Sequence, residues 1–154
     1  MTPAIEALVK AGKDHRVIEV GDYDGENRRE SLAQSLGVTL DAIFKTLVAK
    51  LDRGELVTAL VPINAELNLK SLAALAGAKK ASMASTKEAE KISGYVIGGI
   101  SPLGQRRRLA TYADQSILSH PKVYVSAGRR GLELEVAPGD LLALCSGAQG
   151  VIAR

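Results

Sequence analysis

Apolar residues recur at helical spacing at both ends of the chain and at strand spacing in between. Thr2 and Pro3 supply an N-cap and a first helical residue, Ile5, Leu8 and Val9 share a face, and Gly12 ends the predicted first helix. Arg16 to Val20 predicts a short strand, and Gly21 to Asn27 has the polar, glycine-punctuated make-up of an exposed, mobile loop. Leu32, Ala33 and Leu36 predict a helix stopped by Gly37, and Thr39 caps one further turn through Ala42.

Ile43 to Leu51 and Leu56 to Ile63 are apolar and β-branched runs separated by Asp52-Arg53-Gly54-Glu55, the pattern of a β-hairpin with Lys45 inside its first strand. Asn68 caps a helix lined by Leu69, Leu72, Ala73 and Ala76, and Ser85 with Glu88 forms a capping box for the next. Tyr95-Val96-Ile97 reads as a strand running into the loop Gly98 to Gly104. Val123 to Ser126 and Leu132 to Val136 read as strands around a glycine turn, and Asp140 as the cap of a final helix. Short strands interleaved with short helices predict a mixed α/β domain, not a regular parallel βαβ array, and no internal repeat is present.

Composition narrows the class. A chain of 154 residues with 46% hydrophobic and 24% charged residues has room for one compact domain and enough apolar content to fold it. Aromatics are only 3%, so Leu, Val, Ile and Ala must build the core, and an aromatic base-stacking platform is disfavoured. The lone Cys145 excludes an internal disulfide, and no paired Cys/His spacing suggests zinc. The first ten residues lack a basic leader with a long apolar core, and no apolar run approaches the ~20 residues that span a bilayer, so a cytoplasmic protein without a membrane partner is expected.

The formal charge of +3 is unevenly spread. Lys70 to Arg130 holds 11 Lys/Arg against 3 Asp/Glu, a local charge of +8, while the flanks together carry −5. A segregated basic middle makes a phosphate-bearing partner worth considering, although a simply solvated basic surface explains Arg106-Arg107-Arg108, Lys79-Lys80, Lys87, Lys91 and Arg129-Arg130 equally well.

Few residues suit covalent chemistry. His15 and His120 are the only histidines, neither in a recognisable triad motif, and both read as surface or structural residues. Cys145 reads as a small apolar filler of the last helix. Lys45 either faces solvent from an alternating strand or is held at a cleft to meet a phosphate or polarised carbonyl. Gly98-Gly99-Ile100-Ser101-Pro102 is either a tight turn or a place where backbone closely approaches a ligand. It matches neither the dinucleotide fingerprint nor the P-loop. Gly128 and Gly131 frame Arg129-Arg130, so Ser126 to Gly131 could line a phosphate-facing turn.

Taken together, Met1-Thr2-Pro3-Ala4, Phe44-Lys45-Thr46-Leu47, Gly94 to Gln105 (GYVIGGISPLGQ) and Tyr124-Val125-Ser126 through Arg130-Gly131-Leu132 resemble the YbaK/EbsC family of bacterial tRNA-editing proteins, particularly its Cys-tRNA(Pro) deacylases. The resemblance spans nearly the whole chain. It implies that residues 1–154 form one editing domain, a compact mixed α/β fold around a curved mixed β-sheet or barrel surrounded by short helices, like the domain inserted in bacterial prolyl-tRNA synthetases.

The resemblance further implies that Lys45 is the family's essential lysine, acting with Gly98, and that Gly98 to Pro102 is its Gly-x-x-x-Pro loop. Thr46, Gly99, Ile100, Ser101, Pro102, Ser126 and Gly128 would then contact substrate. The implied reaction is trans-acting hydrolysis of mischarged Cys-tRNA(Pro), with the substrate cysteine thiol attacking its own ester, prolyl-tRNA synthetase as partner, and no metal or other cofactor. Glu133 stands where Asp is usual, Ala127 where Gly is usual, and Val20 replaces a pocket-region Tyr. These departures leave open another aminoacyl group such as alanine. Outside the enzyme class, the alternative is a non-catalytic module binding the tRNA acceptor end.

Overall fold

The computed structural model describes residues 1–21 and 25–154. Among the described residues, five α-helices and eight strands form a mixed α/β domain built on two sheets. Helix α1 (Pro3–Ala11) starts as its sequence dictates. The Thr2 hydroxyl accepts the Ile5 N–H at 3.3 Å and also donates to the Ala127 carbonyl, so one residue caps the helix and ties it to the sheet. Gly12 ends the helix in the left-handed conformation.

Strand β1 (His15–Glu19), β7 (Leu132–Val136) and β6 (Val123–Arg129) form an antiparallel three-stranded sheet in the order β1-β7-β6. The second sheet is mixed, in the order β4 (Ala81–Met83), β2 (Phe44–Leu51), β3 (Leu56–Pro62), β5 (Thr111–Asp114), β8 (Ala148–Gly150). The pairs β3·β5 and β5·β8 are parallel. The expected curved sheet is thus divided, and the two halves meet at a parallel bridge between Ile43 and Tyr124.

The hairpin β2–β3 carries the architecture because both its faces are covered, which is why its residues read as almost continuous apolar runs. Phe44, Val48 and Leu60 enter the larger core with Leu8, Val125 and Leu134. Ala49, Val57, Ala59 and Val61 enter a second core with Leu72 and Ile152. Helix α3 (Leu69–Leu75) covers the second core, capped by Asn68, whose side chain accepts the Ser71 N–H at 3.1 Å. Helix α4 (Thr86–Ser93) begins with the expected capping box between Ser85 and Glu88. Helix α2 (Arg28–Leu36) stops at Gly37, and Leu40–Ala42 makes one 3₁₀ turn.

Three local expectations are corrected. Tyr95-Val96-Ile97 is not a strand. Glu90 in α4 accepts the Ile97 N–H at 2.8 Å and Gly99 bonds back to the Val96 carbonyl at 2.8 Å, so the segment folds into a turn. Asp140 does not cap the last helix, α5 (Pro138–Cys145). Pro138 takes the first helical position after Ala137, leaving Asp140 within the first turn. Finally, the Thr39 hydroxyl bonds to the Asp41 side chain and caps no backbone N–H.

The loop expected over Gly21–Asn27 falls partly on Asp22, Tyr23 and Asp24, which lie outside the described residues. Among the described residues no helix is long and apolar enough to cross a membrane.

Candidate functional site

Strand β2 begins beside the seam between the sheets, and there a cleft of about 300 Å³ opens. Lys45 and Thr46 line it from β2, Ile97, Gly98 and Ile100 from the turn after α4, Ser126 and Glu133 from the facing strands β6 and β7, and Arg28 and Arg29 from the first turn of α2. Five of the residues singled out in the sequence therefore converge: Lys45, Thr46, Gly98, Ile100 and Ser126. Antiparallel pairing fixes two of the positions, since Ser126 sits opposite Glu133 and Lys45 opposite Val61.

The remaining four stand behind the cleft wall. Gly99 packs flush on the end of β6, where a Cβ would lie 2.6 Å from the Arg129 Cα. Ser101 is buried and turned inward. Its hydroxyl accepts the Leu103 N–H at 3.4 Å and its carbonyl accepts the Gln105 side chain at 3.2 Å. Pro102 lines a separate cavity of about 200 Å³ with Ala7 and Cys145. Gly128, at φ +114, leaves room for Tyr95 and Thr2, which would stand 2.9 and 3.0 Å from a Cβ there. These residues shape the wall that Gly98 and Ile100 present.

Charge in the cleft is unusual in two ways. Partial burial pushes the Lys45 ammonium below the ordinary lysine range, as does nearby Arg29, against a smaller opposing pull from Glu66. Glu133 is 9% exposed, and burial raises its carboxyl to about 7, with Arg28 pulling the other way. Two polar groups of cleft-lining residues are uncommitted. Thr46 Oγ1 is buried with no hydrogen-bond partner among the described residues, and Gly98, held at φ +91, donates its N–H to none of them.

Neither histidine lines the cleft. His15 Nδ1 lies 2.8 Å from the Lys13 carbonyl, and His120 packs edge-on to Phe44 with centroids 6.3 Å apart. Cys145 is buried in α5 with its thiol pushed up by desolvation. Arg106 and Arg107 pair through their backbone with the C-terminal carbonyls of α4, and Arg108 holds Leu144 and Ser146, all away from the cleft. Arg129 and Arg130 do reach the loop: Arg129 pairs with Glu19, and the Arg130 side chain lies over Gly98.

Reading the sequence missed the cleft roles of Arg28 and Arg29 and treated Glu133 only as a departure from a pattern. The adjacent arginines opening a helix were the available signal for the first. For the second the strand Leu132–Val136 offered little, since Glu133 and Glu135 alternate with apolar residues as solvent-facing positions do.

Residues 27–144 match the family model described as an aminoacyl-tRNA editing domain. A candidate Cys-tRNA(Pro)/Cys-tRNA(Cys) deacylase, EbsC, of Enterococcus faecalis is 42% identical over 118 residues, covering 77% of this chain and 72% of the relative. A proline–tRNA ligase of Maridesulfovibrio salexigens is 34% identical over 117 residues, 76% of this chain but 18% of the ligase. Among solved structures, a candidate trans-editing enzyme for prolyl-tRNA synthetase superposes with a TM-score of 0.86 at 25% identity, over 100% of this chain and 99% of that one. The chain belongs to the YbaK/EbsC family of aminoacyl-tRNA editing domains.

Proposed function

We propose that this editing deacylase of the YbaK/EbsC type acts in trans on Cys-tRNA(Pro), removing cysteine from the 3′ end of the mischarged tRNA. The carrying observation is the convergence of Lys45, Gly98 and Ser126 on one cleft that no histidine or cysteine lines. Such a site can position and neutralise charge, but among its described residues it offers no thiol nucleophile and no imidazole base.

The substrate can supply the nucleophile. Its cysteine sulfur attacks the ester carbonyl, a carbon–sulfur bond forms, the carbon–oxygen bond to the terminal ribose breaks, and the thiol proton passes to the departing ribose oxygen. Water then opens the strained cyclic thioester to free cysteine. What the protein contributes is proximity and electrostatics. The Lys45 ammonium lies beside the carbonyl and terminal phosphate, the Gly98 N–H faces the developing oxyanion, and Arg28 and Arg29 extend the positive lining towards the incoming backbone. Ser126 and Thr46 supply hydroxyls to the substrate's polar atoms.

Prolyl-tRNA synthetase is the natural partner on this reading, because the relatives of the fold include a stretch of a proline–tRNA ligase and a candidate trans-editing enzyme for that synthetase. The test is deacylation of Cys-, Ala- and Pro-tRNA(Pro) by wild type and Lys45→Ala, with and without the synthetase. Selective removal of cysteine that depends on Lys45 supports the proposal. Undiminished turnover by a folded Lys45→Ala overturns it, and salt-sensitive tRNA binding without turnover assigns the chain to acceptor-end binding instead.

A further inference from the structure

We propose that Val96 and Ile97 form a nucleobase subsite, an aliphatic shelf on which the terminal base of the tRNA packs. This inference rests on the deacylase reading above. With the ester in the cleft, the base on the same ribose must lie one sugar ring away, at the rim. Among the described residues, Ile97 is the one cleft-lining residue that is also a large, exposed apolar side chain, at 45%, and its neighbour Val96 is 71% exposed.

Two exposed aliphatic side chains on a loose loop would mean little, but this loop is held. Glu90 accepts the Ile97 N–H at 2.8 Å, Gly99 bonds to the Val96 carbonyl at 2.8 Å, and Gly98 takes φ +91 to make the turn possible. The same segment carries an aromatic residue and turns it inward: Tyr95 is buried, with its hydroxyl donating to the Leu103 carbonyl at 2.7 Å. Its polar and aromatic capacity thus goes to internal anchoring, while Ile97 lines the cleft and Val96 beside it stands exposed. A purine face laid on Ile97 removes apolar area from water on both partners without reading hydrogen-bonding edges. This suits an enzyme whose substrates all end in the same nucleotide. Glu90 is the positioning residue of the shelf.

The test uses the full chain labelled at isoleucine δ1 methyls, titrated with a short RNA hairpin ending in CCA and with the same hairpin carrying an abasic terminal residue. The Ile97 methyl, assigned by its loss in Ile97→Leu, should move upfield with the CCA hairpin and not with the abasic one. Ile97→Ala should bind the CCA hairpin roughly fivefold more weakly, with little change for the abasic hairpin. Glu90→Ala should show the same base-dependent loss, and Glu90→Gln, which keeps an acceptor oxygen, should restore binding.

Equal movement with both hairpins, movement of the Ile43, Ile63 and Ile100 methyls without Ile97, or no movement at saturating RNA overturns the subsite. Because the hairpin carries no aminoacyl ester, the two readings fail separately. Turnover without a base-dependent shift removes only the shelf, and a base-dependent shift without turnover removes only the deacylase.

Discussion

Lys45 is held where both burial and a neighbouring arginine disfavour its charge, an arrangement that an incoming phosphate or developing oxyanion would relieve. Replacing it with alanine should lower kcat/KM for the aminoacyl-tRNA by at least about 100-fold, a loss typical of a preorganised electrostatic contact. The melting temperature should change little, because the ammonium satisfies no partner in the core, and single-turnover kinetics beside a thermal melt checks both.

Glu133 makes an opposite residue-scale prediction, about stability. Its carboxyl is raised from 4.5 to about 7 in the folded protein, so folding favours the protonated form. The associated stability is fully present below about pH 4.5 and is lost as pH rises through about 7, an effect on the order of 3 kcal/mol. Urea unfolding between pH 4 and 8 should show this decline in wild type and a much flatter profile in Glu133→Gln. A wild-type curve unchanged by the substitution would contradict the assignment. At this scale the sequence was partly legible. Lys45 stood out as a charge in an apolar strand, whereas the burial of Glu133 and the approach of Arg28 depend on how separate strands and helices pack.

At the scale of elements, the loop after α4 depends on close backbone contact. A Cβ on Gly99 would press on the Arg129–Arg130 backbone from 2.6 to 2.9 Å, with no flexible side-chain end to yield. Gly99→Ala should lift Gly98 and Ile100 out of register with Lys45 and cost roughly tenfold or more in kcat/KM, a sensitivity expected when catalytic geometry shifts by a fraction of an ångström. Steady-state kinetics on this variant checks it.

A second element-scale prediction concerns the C-terminal segment. Burial alone would raise Asp114. The hydrogen bonds from the Ser116 hydroxyl and the Ala153, Ile152 and Ser116 N–H groups outweigh it and hold the carboxyl below its usual value. Asp114→Ala should destabilise by about 2–4 kcal/mol, since it leaves two backbone donors of the terminal segment without their acceptor. Hydrogen exchange at Ile152 and Ala153 should accelerate first.

Helices and the central hairpin were legible because caps and apolar runs are local signals: Thr2, Asn68 and the Ser85–Glu88 box all act as the sequence suggests. Strands β4, β5 and β8 have three or four residues each, too few for any period to show, and are set by neighbours far along the chain. The turn at Tyr95–Ile97 was misread as a strand because its residues are β-formers. The deciding partner, the Glu90 carboxylate, sits seven residues before Ile97.

For the whole molecule, the +8 segment from Lys70 to Arg130 does not gather at the cleft. Arg129 and Arg130 reach its loop, while Arg106 and Arg107 lie at the end of α4. The cleft's own positive lining comes from Lys45, Arg28 and Arg29, all three of which lie outside that segment. The +8 was legible in the sequence, but its division over separate surfaces was not, because Arg106 and Arg107 are held at the end of α4 while Arg129 and Arg130 follow β6 to the cleft loop.

Substrate-thiol chemistry is the central claim, and it is tested most directly by comparing deacylation of Cys-tRNA(Pro) with that of the same tRNA charged with 2-aminobutyrate, which replaces the thiol by a methyl group of similar size. The account predicts rapid loss of cysteine and near-background loss of aminobutyrate, with the cysteine reaction abolished in Lys45→Ala. Comparable rates for the two esters would mean that the cleft selects by size and activates water, and would contradict attack by the substrate's own sulfur.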